Sequence, residues 1–268
     1  MSTGLSLAST LFPVALRQMY TLKKSLGQHF LKDETIIAAI VAALQQHPFT
    51  RLLEVGPGAG ALTKDLLQIK NIELKAVELD GEKVEYLQKK YPALKDNIIH
   101  ESFLDIEKPF EGPFTVIGNF PYNISTQILF KILDWKDEVP VIIGMFQREV
   151  AHRAAASPGG KTYGVLSALL QPYYDIEYLL DVPASSFNPP PKVMSGVIRL
   201  TRKTHALNFK SERAYWVLVK TAFNQRRKTM RNAVKSLFSA EELQDPLFDR
   251  RAETISIEEF AALTYRMN

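Results

Sequence analysis

Apolar positions along the chain follow two different periods, and the change between them divides the sequence. In "KDETIIAAIVAAL", Ile36, Ile37, Ile40, Val41 and Leu44 recur at helical spacing, with Asp33 placed to cap the first turn. Short apolar runs then alternate with helical patterns. "RLLEV", "ELKAVEL", "NIIHE", "FTVIG" and "VPVIIGMF" read as strands, and "ALTKDLLQI", "GEKVEYLQKKY" and "STQILFKILDW" as helices. Such alternation predicts a mostly parallel sheet covered on both faces, an α/β arrangement. "DIEYLLDVP" and "SGVIRLT", separated only by the proline cluster "FNPPPKV", predict an antiparallel hairpin that finishes the sheet. After "TRKTHALNFK" the strand-like alternation stops. "SERAYWVLVKTAFNQRRKTMRNAVKSLF" has one continuous helical period, and "SIEEFAALTYRMN" predicts a further helix. A boundary therefore falls near residue 204, with the sheet domain over 19–204 and a small all-helical domain over 205–268.

Composition narrows the class. Hydrophobic residues are 46% and charged residues 23% of 268, which suits a folded globular chain and excludes a disordered one. There is no cysteine, which excludes thiolate catalysis, disulfides and zinc ribbons and fits a reducing, cytoplasmic setting. No apolar run approaches the ~20 residues that cross a bilayer. Residues 1–18, "MSTGLSLASTLFPVALRQ", lack the basic n-region and cleavage pattern of a signal peptide. Met19 is followed by the basic "YTLKKS", so the first eighteen residues read as a disordered or non-native extension.

Two stretches carry candidate chemistry. "LLEVGPGAGALT" places Gly56, Gly58 and Gly60 between a strand and a helix, where backbone can come close to a ligand. The spacing is G-x-G-x-G, which differs from the G-x-G-x-x-G of dinucleotide binders. Glu78 closes the next strand, and a carboxylate there can accept both hydroxyls of a ribose. With Glu54 and Pro57, "EVGPGAG" resembles the first motif of class I S-adenosylmethionine methyltransferases. No hydride-transfer partner accompanies the turn, which argues against a dehydrogenase.

The second stretch, "GNFPYNIS", follows the strand "FTVI" and contains no acid, base or strong nucleophile. An adenine N6 is a poor nucleophile because its lone pair is delocalised into the ring. Asn119 Oδ1 and the backbone carbonyl of Phe120 or Pro121 can grip its two hydrogens and favour a pyramidal nitrogen. Tyr122 can stack on the base. A methyl group already activated on sulfur needs no nucleophilic side chain, so positioning and desolvation carry the rate.

"NFPY" resembles the N-(L/I/F)-P-Y motif of the ribosomal RNA adenine dimethyltransferases. "SLGQHFL", "EVGPGAG", "FNPPPKV" and "FNQRRKTMRN" match the same family in order, from Lys23 onward. The bacterial kasugamycin-sensitivity type, which dimethylates two neighbouring adenines in the 3′-terminal hairpin of small-subunit (16S) rRNA, is the nearest resemblance. The resemblance implies a Rossmann-like class I methyltransferase sheet with a small all-helical C-terminal domain. It implies S-adenosyl-L-methionine as cofactor, rRNA in a partly assembled 30S particle as partner, and a monomer without metal. His29, Leu31, Gly56, Glu78, Ser102 and Asn119 would then contact the methyl donor. Relatives carry Asp at the position of Ser102, and Glu101 and Asp105 stand beside it as alternatives. Asn119, Pro121 and Tyr122 would be catalytic, and Phe187 would pack on the face of the adenine opposite Tyr122.

Net charge is +4, so the placement of the basic residues matters more than their sum. On a 3.6-residue period Lys220, Arg227, Arg231 and Lys235 share one helical face, flanked by Arg226 and Lys228. That face would bind phosphates without reading sequence. "SPGGKTYG" resembles a phosphate loop but has Ala155 where the P-loop needs glycine. Two rivals remain: a resistance-type methyltransferase of large-subunit rRNA, and a non-catalytic assembly or transcription factor on the same fold. Drug susceptibility of a deletion strain separates the first, and the intact Asn119–Tyr122 loop opposes the second.

Overall fold

The computed structural model describes residues 29–205 and 207–268, so the extension expected over 1–18 lies outside the described residues. Strands β1 (Phe30–Leu31), β2 (Arg51–Val55), β3 (Glu73–Val77), β4 (Ile98–Ile99), β5 (Thr115–Asn119) and β6 (Val141–Gln147) appear in order. They are followed by β7 (Tyr174–Val182), β8 (Phe187–Asn188) and β9 (Ser195–Arg202). The seven-stranded sheet has the order β4-β3-β2-β5-β6-β9-β7. Strands β4 to β6 run parallel, and β9 is antiparallel to both β6 and β7. The expected hairpin is present, but its second strand inserts between β6 and the first.

The parallel strands are mostly apolar because both their faces are covered. Successive residues point to opposite sides. Leu53, Val55, Val116, Ile142 and Phe146 enter one core. Leu52, Ile117, Val141, Ile143 and Met145 enter the other. Helix α1 (Glu34–Gln45) packs Ile37, Ile40, Ala43 and Leu44 into the second core. Its cap is as read: Asp33 accepts from the Thr35 and Ile36 amides, an interaction worth roughly 1 kcal/mol. Helix α2 is short (Thr63–Leu66), α3 spans Gly81–Lys90, and α4 spans Ser125–Leu133. Helix α4 buries Ile128, Leu129, Ile132 and Leu133 in the first core, each contributing roughly 1.5–3 kcal/mol before entropy.

Helices α5 (Arg148–Ala155) and α6 (Val165–Leu170) were not read from the sequence. Helix α6 sends Ala168 and Leu169 into a third core built mainly by the C-terminal segment. That segment is helical, with α7 (Glu212–Asn224), α8 (Met230–Ala233) and α9 (Ile257–Thr264) joined by short 3-10 turns. Ser256 and Glu259 form a capping box at the start of α9.

The continuous helix expected through "NQRRKT" is corrected here. Helix α7 stops at Asn224, and the Lys228 amide closes a turn on the Gln225 carbonyl at 2.8 Å. The Met230 amide donates to the Arg250 carbonyl at 2.7 Å, and Thr229 bridges Arg251. These long-range bonds give the backbone an alternative to a further helical turn. Lys220, Arg227, Arg231 and Lys235 therefore do not share a helical face.

Candidate active site

A cavity of about 250 Å³ opens at the carboxyl ends of β2, β3 and β5, where open α/β sheets hold their ligands. It brings together His29, Leu31, Gly56, Glu78, Ser102, Asn119, Pro121 and Tyr122, which the sequence scatters over 94 positions (122 − 29 + 1). The β2–α2 turn forms its floor. Gly56, Gly58 and Gly60 have φ of +67°, +57° and +81°, a region that L side chains rarely adopt. Gly118 has a different reason. A Cβ there would lie 2.4 Å from the Val55 carbonyl, so only glycine lets β5 deliver the asparagine loop beside the glycine turn.

Glu78 is held before any ligand arrives. Its Oε2 accepts from the Gly58 amide at 3.1 Å and its Oε1 from the Asp80 amide at 3.0 Å. Each oxygen keeps a further lone pair, so the carboxylate can accept two adjacent hydroxyls from the cavity. Glu101, Ser102, Phe103 and Leu104 form another wall, and Ser102 Oγ accepts from the Leu104 amide at 3.3 Å. Of the two alternatives to Ser102, Glu101 lines the cavity and Asp105 is not among the lining residues.

Asn119 ends β5. Its Nδ2 donates one hydrogen to the His29 carbonyl at 3.1 Å, and among the described residues Oδ1 accepts no hydrogen bond, so it is open as an acceptor. The Pro121 carbonyl accepts from the Ile124 amide at 3.2 Å. Tyr122 shares a hydrogen bond between its hydroxyl and Ser195 Oγ, and burial holds the phenol above its ordinary pKa. The His29 ring stacks on the Tyr122 ring, 5.8 Å between centroids and 29° between planes. His29 Nδ1 also sits 2.9 Å from the Pro189 carbonyl.

Phe187, expected to pack on the target base, is not among the residues that line the cavity. It is 1% exposed and packs in the second core, and β8 pairs with β1 through Phe187 and Leu31. His29, through the same β1–β8 ribbon, is the ring that faces Tyr122.

Sequence reasoning used Glu54 only as part of the glycine motif. The structure buries it at 1% exposure in the cavity wall, with Thr63 Oγ1 donating to Oε2 at 2.7 Å. Burial pushes its carboxyl up to about 7, with a smaller push from the Glu78 charge, against the Thr63 hydrogen bond. A carboxyl raised on folding gives its full stability below the unfolded pKa and loses it as pH rises through the folded one. Stability should therefore fall by up to about 3 kcal/mol between about pH 4.5 and 7 from this group. Urea unfolding across that window should show a flatter profile for Glu54→Gln than for the unsubstituted protein.

The basic residues have mixed fates. Arg226 donates to the carbonyls of Lys161 and Tyr163, the latter at 3.2 Å, and lies 3.6 Å from Glu253. Arg231 forks onto Asp249 with bonds of 3.1 and 2.7 Å. Both guanidinium groups thus already have partners within the chain, although Arg226 remains exposed. Lys220 is exposed, with Nζ 4.9 Å over the Trp216 ring. Arg227, Lys228 and Lys235 are exposed. Among the described residues no cluster of three or more His, Asp or Glu is arranged to hold a metal, and no helix is long and apolar enough to cross a membrane.

Comparison with known proteins gives this geometry a context. The chain is 51% identical over 246 residues to a protein of Cytophaga hutchinsonii named ribosomal RNA small subunit methyltransferase A, covering 90% of this chain and 95% of that one. A protein of the same name from Flavobacterium johnsoniae is 50% identical over 249 residues, covering 91% and 95%. Among solved structures, a dimethyladenosine transferase from Plasmodium falciparum superposes with a TM-score of 0.74 at 22% identity, covering 89% of this chain and 99% of that one. The 23S rRNA methyltransferase ErmE superposes at 0.68 and 23% identity, with the same coverage, and these two show the shared fold. The family model described as ribosomal RNA adenine dimethylase matches residues 19–267, and the chain belongs to that family.

Proposed function

We propose that this enzyme transfers methyl groups from S-adenosyl-L-methionine to N6 of two adjacent adenines in the 3′-terminal hairpin of 16S rRNA. The product is N6,N6-dimethyladenosine, made in the cytoplasm on a partly assembled 30S particle. The observation that carries the reading is the orientation of Asn119. Its amide nitrogen donates to the His29 carbonyl, and its oxygen is open as an acceptor at the cavity. An acceptor there grips an amine hydrogen and suits an adenine N6. The Phe120 or Pro121 carbonyl supplies the second grip; the Pro121 carbonyl accepts from the Ile124 amide at 3.2 Å and keeps a further lone pair.

The bound donor supplies a methyl group already activated on a sulfonium. The chain supplies its site. Glu78 fits the ribose hydroxyls, the glycine turn lets backbone approach the methionine part, and Ser102 with Glu101 stands where the donor's adenine amine would lie. Tyr122 offers a ring face to the target base, and the apolar cavity walls exclude water from the amine. No strong base is needed, because the amine becomes acidic once alkylated and sheds its proton to solvent. A large-subunit target is disfavoured, since the relatives near half identity carry the small-subunit name.

Calorimetry with S-adenosylmethionine and with NAD tests the donor assignment. S-adenosylmethionine should bind and NAD should not, and Glu78→Ala should weaken the former by roughly 1–3 kcal/mol. Tighter binding of NAD would overturn the assignment.

A further inference from the structure

We propose that Ser195 is a positioning residue for methyl transfer, acting through the Tyr122 hydroxyl to set the plane of the ring on which the target adenine stacks. The inference rests on the stacking role given to Tyr122 above. Tyr122 lies on the loop between β5 and α4, outside regular structure. Its backbone carbonyl accepts from Ser125 Oγ at 3.2 Å, which fixes one end of the residue. The His29 ring stacks on one face, and the far end of the ring is held through its hydroxyl, whose partner is Ser195.

Ser195 is an unusually firm anchor. It is 0% exposed and opens β9, in register with Gln147 of β6 on one side and Val182 of β7 on the other. The strand ends around it are pinned as well. The Arg148 amide donates to the Met194 carbonyl at 2.9 Å, and Arg148 Nε lies 3.1 Å from Asp181 Oδ1. The hydrogen bond therefore ties a loop side chain to the centre of the antiparallel part of the sheet, 73 positions away in sequence.

Stacking alone does not call for this hydroxyl. A phenylalanine presents the same face and carries no polar atom to bury, whereas a buried tyrosine needs a partner for its oxygen. The hydroxyl is accounted for if it holds the ring at a fixed angle. Transfer between sulfur and nitrogen depends steeply on alignment, and a displacement of about 1 Å can cost about 10²-fold in rate. A ring free to turn would let the base tilt away from the donor without weakening donor binding.

A double-mutant cycle on the full chain tests this, with small subunits as substrate and three readouts: kcat, donor Kd and Tm. Ser195→Ala and Tyr122→Phe should each lower kcat about tenfold or more, with donor Kd within about twofold of the unsubstituted protein. Each single change leaves one hydroxyl of this part-buried pair without its partner and should lower Tm. The double variant strands none, so its Tm should recover towards the starting value. Its kcat should stay at the level of the single variants, because the ring remains untethered. Recovery of kcat together with Tm would mean that the bond serves stability alone and would overturn the inference. So would turnover by Ser195→Ala within about twofold of the unsubstituted enzyme. An unsubstituted enzyme inactive on adenines would overturn the functional reading and this inference together, whereas failure of the cycle in an active enzyme overturns the inference alone.

Discussion

Asn119→Ala should fold, bind the methyl donor, and transfer almost no methyl groups. Among the described residues the side chain makes one hydrogen bond, from Nδ2 to the His29 carbonyl. Losing a neutral bond of this kind costs about 0.5–1.5 kcal/mol, which a folded domain tolerates. Donor affinity should fall less than about tenfold for the same reason. The rate is another matter. In the proposed mechanism Oδ1 is the acceptor that turns the amine lone pair towards the methyl group, an interaction strongest as the nitrogen becomes pyramidal. Groups that act on developing charge or geometry in this way are typically worth about 10²–10³-fold in kcat. Circular dichroism and donor calorimetry establish the folded, donor-binding state, and single-turnover methylation then gives the rate. Near-native turnover by a folded Asn119→Ala protein would remove the asparagine from the mechanism.

The second large effect is expected from reversing two charges. Arg227 and Lys228 sit in the turn that ends α7, exposed and next to one another. Charge-assisted hydrogen bonds are worth roughly 1.5–3 kcal/mol each, so Arg227→Glu with Lys228→Glu should weaken binding to small subunits by roughly 100-fold or more. If both side chains meet phosphates, the log–log salt slope should fall in magnitude by about 1.4–1.8, twice the value for one contact. Donor binding should be unchanged, since neither residue lines the cavity. Arg231→Ala is the informative control. Its guanidinium is committed to Asp249, so it should leave the salt slope alone and shift stability by at most about 1 kcal/mol. An unchanged slope in the charge-reversed protein would return Arg227 and Lys228 to the solvated surface.

These expectations also show what was legible in the sequence. The parallel sheet was legible because its strands are short, apolar on both faces and separated by helices of clear period. The cap at Asp33 and the glycine turn were legible because each has a local chemical cause. The helix through residues 225–229 was not. Phe223, Met230, Val234 and Leu237 keep helical spacing across the break, and all four reach or border the third core by a path that is not helical. The competing partners, Arg250 and Arg251, lie more than twenty positions downstream, beyond any local window.

The same limit applies to the site. Its members were found one motif at a time, but their mutual contacts were not. That His29 faces Tyr122 and that Phe187 turns into the core both follow from the pairing of β1 with β8, two-residue strands too short to leave a periodic signal. Ser195 carried no motif of its own and becomes visible only when β9 is seen to insert beside β6. Glu54 looked like one letter of the glycine motif until its burial gave it a proton near neutrality.

Small-subunit specificity follows from what the chain can and cannot read. Phosphate contacts occur on any RNA, and an adenine pocket rejects other bases without choosing among adenines. On this proposal, selection of two adenines comes from the three-dimensional arrangement of phosphates in assembled RNA. The direct measurement compares unmodified small subunits with protein-free 16S rRNA at matched salt, using labelled S-adenosylmethionine and mass spectrometry of the methylated nucleosides. The account predicts N6,N6-dimethyladenosine at two adjacent adenines of the 3′-terminal hairpin, formed on subunits and not on free rRNA. Absence of dimethyladenosine from the subunits, or equal rates and site selectivity on both substrates, would contradict it.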